Sequence, residues 1–186
     1  MRRSLVFLCV LMTTLLGGCG MRPYGVDYLS ATASRPYTLG SGDRLRVIVF
    51  GQDALSNVYS VDASGHISMP LIGIVSAAGM TTAALEKSIE AKLRGGFLRD
   101  PKVSVEVEAF RPFFILGEVT VAGQYPYVSG MTVQTAVAIA GGFTPRGYQA
   151  KADITRTVDG KAYTAPVPIT QPVQPGDTIV IRERFF

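Results

Sequence analysis

Thiols are nearly absent from this sequence: Cys9 and Cys19 are its only cysteines in 186 residues. Both fall in the first twenty positions, so the body of the chain has no material for a disulfide framework or a redox pair. Histidine is as scarce. His66 is the single one, on a strand beside a turn, and with no thiol near it a zinc site has no ligand set. No block of like charge occurs, and 18 basic residues against 14 acidic ones are scattered along the chain, which argues against nucleic acid as a partner. Known chemical signatures are missing too. No Gly-x-Ser-x-Gly elbow surrounds any serine. Gly40-Ser41-Gly42 has Leu45 where a dinucleotide loop needs its third glycine, and Gly160-Lys161 lacks the flanks of a phosphate loop.

What is present begins at the N-terminus. Arg2 and Arg3 precede an uncharged, largely apolar run from Leu5 to Leu16, the form of a secretory signal. The run is shorter than the roughly 20 residues a spanning helix needs. It ends in Leu16-Gly17-Gly18-Cys19, which has the form of a lipobox, so cleavage is expected between Gly18 and Cys19, with Cys19 the lipidated N-terminus. No other thiol would then remain. Gly20 follows Cys19 where an Asp often signals inner-membrane retention, which points to the outer membrane. Removing 18 residues, two of them arginines, from 186 leaves 168 and a balance of 16 basic to 14 acidic, or +2.

Beyond Cys19, residues 19–36 are small, polar or turn-forming and read as a tether. Leu45 to Phe50 is rich in β-branched residues and reads as a strand. Val58–Val61 and His66–Met69 flank Asp62-Ala63-Ser64-Gly65, the composition of a hairpin, and Pro70 to Val75 is expected to continue extended. Thr81 is a candidate N-cap for a helix carrying Leu85, Ile89 and Leu93 at four-residue steps and closing at Gly95-Gly96. Val103, Val105 and Val107 alternate with Ser104, Glu106 and Glu108, a half-buried strand. The second half has a strand from Phe113 to Val119 broken by Gly117, then an extended stretch at Tyr125–Val128. A second helix has Val133, Ala136, Val137 and Ala140 as its apolar stripe and stops at Gly141-Gly142. Strands follow at Ala152–Thr157, around Tyr163 and at Thr178–Arg182. Both halves share a Gly-Met-Thr helix start, a Gly-Gly stop and a Gly-Asp turn into a strand. The expected fold is α+β: two small domains, 37–110 and 111–186, mostly antiparallel, with one helix each.

Two features invite other readings. Glu106 and Glu108 share a strand face about 7 Å apart, a spacing that overlaps the carboxylate pair of inverting glycosidases, but the polar face of an alternating strand is usually solvated or paired. The terminal Phe186 is typical of outer-membrane barrels, which need at least eight longer alternating strands uninterrupted by helices.

The blocks Tyr37-Thr38-Leu39-Gly40-Ser41-Gly42-Asp43, Val61-Asp62-Ala63-Ser64-Gly65-His66-Ile67, Leu98-Arg99-Asp100-Pro101-Lys102-Val103, Phe114-Ile115-Leu116-Gly117-Glu118-Val119, Gly123-Gln124-Tyr125-Pro126, Ala140-Gly141-Gly142-Phe143-Thr144 and Gln174-Pro175-Gly176-Asp177 stand in order behind the lipobox. In this they resemble the outer-membrane polysaccharide export lipoproteins: an export domain, then a β-grasp (SLBB) domain that binds soluble ligands. The resemblance gives structural roles to Gly42, Asp43, Gly65, Pro101, Gly117, Glu118, Gly123, Gly141, Gly142, Gly176 and Asp177. It implies a non-enzymatic protein, without metal or cofactor, anchored by lipid to the outer membrane and facing the periplasm. It also implies a homo-oligomeric ring that passes capsular polysaccharide or exopolysaccharide outward, above an inner-membrane copolymerase or tyrosine kinase. The longest members carry further β-grasp domains and a C-terminal pore-forming helix; this sequence stops at Phe186, so a separate outer-membrane β-barrel is expected to complete the path. A binding module that captures a soluble glycan without forming a conduit is the alternative reading, and a glycan-cleaving enzyme the third.

Overall fold

The computed structural model describes residues 36–158 and 160–184. The expected signal, Gly18, Cys19 and nearly all of the tether lie outside them. Two apolar cores form, one on each side of Phe110 to Pro112.

In the N-terminal unit β1 (Arg44–Val49) alternates exposed and buried positions, so Leu45, Val47 and Val49 all face the core. It is the centre of an antiparallel sheet, between β2 (Asn57–Ser60) and β5 (Val103–Ala109). A second sheet pairs β3 (His66–Met69) with β4 (Gly73–Ser76). Helix α1 (Thr82–Arg94) starts where the Thr81 hydroxyl accepts from the Ala84 amide, and it buries Leu85, Ile89 and Leu93.

The hairpin of this unit is not the one expected. The turn at residues 62–65 forms, with the Asp62 carboxylate accepting from the Ser64 and His66 amides, but its flanking strands part into different sheets. The chain instead reverses at Pro70-Leu71-Ile72, which was expected to be extended. There the Ile72 amide donates to the Pro70 carbonyl at 2.8 Å and Leu71 adopts φ 68°, a γ-turn of the rare positive-φ form. No Gly or Asn marks that position, so turn composition gave no sign of it.

The C-terminal unit is a five-stranded sheet of β6 (Phe113–Gly117), β7 (Gly123–Tyr125), β8 (Lys151–Val158), β9 (Lys161–Pro168) and β10 (Thr178–Ile181). Its order is β7-β6-β10-β8-β9, with β10 and β6 parallel and the other pairs antiparallel. Helix α2 (Val133–Ile139) has a capping box between Thr132 and Thr135 and packs Val133, Ala136 and Val137 into the core. The fold is α+β, mostly antiparallel, with one α-helix in each unit among the described residues and a short 3-10 turn at Asp53–Leu55.

Candidate functional site at the junction of the two cores

The two Gly-Asp turns noted in the sequence are built alike. Asp43 precedes β1 and Asp177 precedes β10, and both are fully buried. The Asp43 carboxylate accepts from the Gly40 amide at 2.8 Å while its own amide donates to the Gly40 carbonyl at 3.1 Å. Asp177 repeats this with Gln174, at 2.7 and 3.1 Å. Each aspartate thus closes its own turn, as short acidic side chains do.

A buried carboxylate needs a cation or several donors, and each of these has an arginine. Arg156 binds Asp177 bidentately, Nε at 2.9 Å and Nη2 at 2.7 Å. Burial pushes the Asp177 carboxyl up from its ordinary value, and Arg156 and the Gln174 amide pull the other way. Arg156 was missed in the sequence; its signal is that it occupies the core-facing position after Ala152 and Ile154 on β8.

Arg111 is the residue that joins the units. Its amide donates to Asp43 Oδ1 at 2.8 Å and its Nη1 to Asp43 Oδ2 at 3.3 Å. Its Nε donates to the Pro175 carbonyl at 3.2 Å, in the turn that holds Asp177. Gly40 and Gly176 leave room for it: a Cβ on either would overlap the Arg111 side chain. Tyr37 completes the cluster, donating to Asp43 Oδ2 at 2.5 Å and accepting from Arg111 Nη1 at 3.0 Å. Burial, and then the bond to Asp43, push the Tyr37 phenol well above its ordinary range. Beside it Phe110 meets Tyr37 edge-on at 5.0 Å and Tyr127 at 5.4 Å, so one aromatic row crosses from the first unit to the second.

The remaining motif residues gather elsewhere. Gly117 and Glu118 meet Gly141 and Gly142 at one corner of the second unit. There Thr120 donates its amide to the Gly142 carbonyl and its hydroxyl to Gly141, while Thr144 donates its hydroxyl to Glu118 Oε2 at 2.5 Å. Gly117 is required twice over, because its φ is 85° and a Cβ there would overlap the Ile181 carbonyl. Gly42 lies in the first Gly-Asp turn beside Arg111. The Gly65 carbonyl accepts from the Ala77 and Ala78 amides at 2.9 Å. Pro101 is buried at the approach to β5, and Gly123 opens β7 opposite Ile115.

The two candidate carboxylates lie on the exposed face of the first sheet, among arginines. Glu108 is engaged by Arg44 at 3.4 Å and Arg46 at 3.3 Å, and Glu106 lies opposite Arg46 on the exposed sheet face. His66 Nδ1 stands 3.9 Å from Asp62. Among the described residues no three His, Cys, Asp or Glu side chains lie close enough together to hold a metal ion. At the junction Arg111 bonds Asp43 of the first unit and Pro175 of the second, and so ties the two together.

A model of the polysaccharide biosynthesis/export protein family matches residues 31–108, and a model of the SLBB domain matches residues 112–164. The chain is 39% identical over 118 residues to the exopolysaccharide production protein ExoF of Rhizobium meliloti (strain 1021), covering 57% of this chain and 28% of that protein. It is 27% identical over 174 residues to the EPS I polysaccharide export outer membrane protein EpsA of Ralstonia nicotianae, covering 78% of this chain and 45% of that protein. The protein of the same name from Ralstonia solanacearum is 27% identical over 182 residues, covering 83% of this chain and 48% of that protein. The chain thus spans less than half the length of these relatives.

Proposed function

We propose that this chain, whose residues 31–108 match the polysaccharide biosynthesis/export protein family and whose residues 112–164 match the SLBB domain, is a lipid-anchored, ring-forming subunit of an exopolysaccharide or capsule export conduit. In this reading Cys19 carries the acyl chains, the two domains face the periplasm, and the division between them falls between residues 110 and 111. Polysaccharide passes through the lumen by many weak contacts, with a copolymerase beneath and a β-barrel completing the path above.

The observation that carries the reading is the Arg111 junction. A ring closes only if every subunit presents its contact surfaces at the same angle, and a two-domain subunit meets that condition when its domains are locked together. Arg111 bonded to Asp43 on one side and Pro175 on the other supplies such a lock.

Extraction of the membrane-bound protein in mild detergent, followed by native mass measurement, tests this. A single closed multiple of the subunit mass is expected, and Cys19→Ser should move the protein to the soluble periplasmic fraction. A monomer in detergent, or a Cys19→Ser protein still bound in high salt, would contradict the reading.

A further inference from the structure

Three of the export domain's five exposed large apolar side chains, Leu71, Ile74 and Phe97, belong to the β3–β4 hairpin and the stretch just past α1, while Ile48 and Phe50 belong to β1 and its end. Leu71 is 58% exposed, Ile74 65% and Phe97 51%. Leu71 is held out at the tip of the β3–β4 hairpin by the γ-turn, a strained conformation for a residue with a Cβ. Lys92 Nζ donates to the Ile74 carbonyl at 2.6 Å, which places the helix cation beside the hairpin. Phe97 follows one turn later, its amide donating to the Leu93 carbonyl.

The exposed charge of α1 itself is of one sign, for a reason the structure shows. Glu86 and Glu90 turn toward β5, where they accept from the Val105 and Val103 amides at 2.9 and 3.1 Å. That leaves Lys87, Lys92 and Arg94 as the exposed charges of α1.

We infer that this surface docks on an anionic phospholipid bilayer, with Leu71, Ile74 and Phe97 entering the interface and the three cations meeting headgroups. Cations beside projecting apolar side chains are what an interfacial contact requires. A hydrated glycan would leave the apolar side chains unmatched.

The reach of the anchor agrees, and here the inference rests on the proposed lipidation of Cys19. The chain enters the domain at Leu39, whose amide and carbonyl bond Met80 and Gly79 at the start of α1. The docking surface is one helix length away, about 20 Å. The link from Cys19 to Pro36 can extend to about 60 Å, so anchor and surface can meet the same leaflet.

The chain contains no tryptophan, so Leu71→Trp is a unique reporter. The full anchored chain would be reconstituted in phosphatidylethanolamine–phosphatidylglycerol vesicles containing lipid brominated in its acyl chains. The control is Val128→Trp, exposed in the SLBB domain. Emission at position 71 should be blue-shifted and quenched roughly threefold more than at 128, and Lys87→Glu, Lys92→Glu and Arg94→Glu together should erase the difference. Leu71→Gly, which relieves the strained φ, should keep its melting temperature and weaken docking, the reverse of what a folding role predicts. Equal quenching at 71 and 128 in protein that still floats with vesicles would overturn docking and leave the anchor standing. Failure to float would overturn both. A blue shift on adding unlabelled protein without vesicles would assign the surface to a second copy and overturn the inference.

Discussion

Single residues decide the two most demanding positions in this molecule, the buried aspartates. Removing Arg156 leaves Asp177 buried without its bidentate partner, and breaking such a pair costs about 3–5 kcal/mol. Arg156→Ala should therefore lower the urea midpoint by that equivalent at neutral pH, whereas loss of a surface pair such as Lys102–Asp100 should cost under about 1 kcal/mol. Tyr37 gives a pH signature. Its phenol is held neutral in the folded chain, well above the value near 10 at which an unfolded tyrosine ionises. A group whose pKa is raised by folding contributes its full stability below the unfolded value, and that contribution drains away as pH climbs past it. Stability should thus fall above about pH 10, and Tyr37→Phe should make the fall shallower in urea titrations across that range. Asp43 and Asp177 were legible in the sequence as paired Gly-Asp turns. Arg111 was not, because nothing in Phe110-Arg111-Pro112 distinguishes a clamp from a solvated linker until both turns are seen to face it.

At the scale of elements, the regular alternation and the helix caps were legible and the hairpin was not. Leu45, Val47 and Val49 could face only one way on β1, and Thr81 and Thr132 start their helices as N-cap chemistry dictates. The β3–β4 reversal escaped because its central residue is a leucine at φ 68°, which no turn preference anticipates. The role of the helix glutamates escaped too. Spacing alone places Glu86 and Glu90 on the polar side of an amphipathic helix; in the fold they satisfy two amides along β5. Unsatisfied strand edges invite pairing with other chains, and on β9 Pro166 and Pro168 blunt the edge by lacking amide hydrogens. Glu86→Ala with Glu90→Ala should cost about 1–3 kcal/mol and raise light scattering at concentrations where the parent stays clear. A double variant as stable and as soluble as the parent would mean the edge needs no cover.

For the whole molecule, the export-family and SLBB matches support the proposed export role, and the Arg111 junction offers a reason for the two-domain form. The fold class and the order of domains were readable because each half repeats a complete set of signals: turn, strand, helix cap, glycine stop. How the halves are held was not readable, since Tyr37, Asp43, Arg111 and Pro175 span 138 positions from first to last and act as one unit only after folding. In the proposed function this chain is a working part of a polysaccharide export path, and the Arg111 junction is what makes it one. The most direct test is the amount of polysaccharide reaching the cell surface in a strain lacking the chain, complemented at equal abundance with either the parent sequence or Arg111→Glu. Surface polysaccharide should be lost on deletion and recovered with the parent, but not with Arg111→Glu even though that protein folds and reaches the membrane. Undiminished surface polysaccharide in the deletion strain would contradict the proposed function.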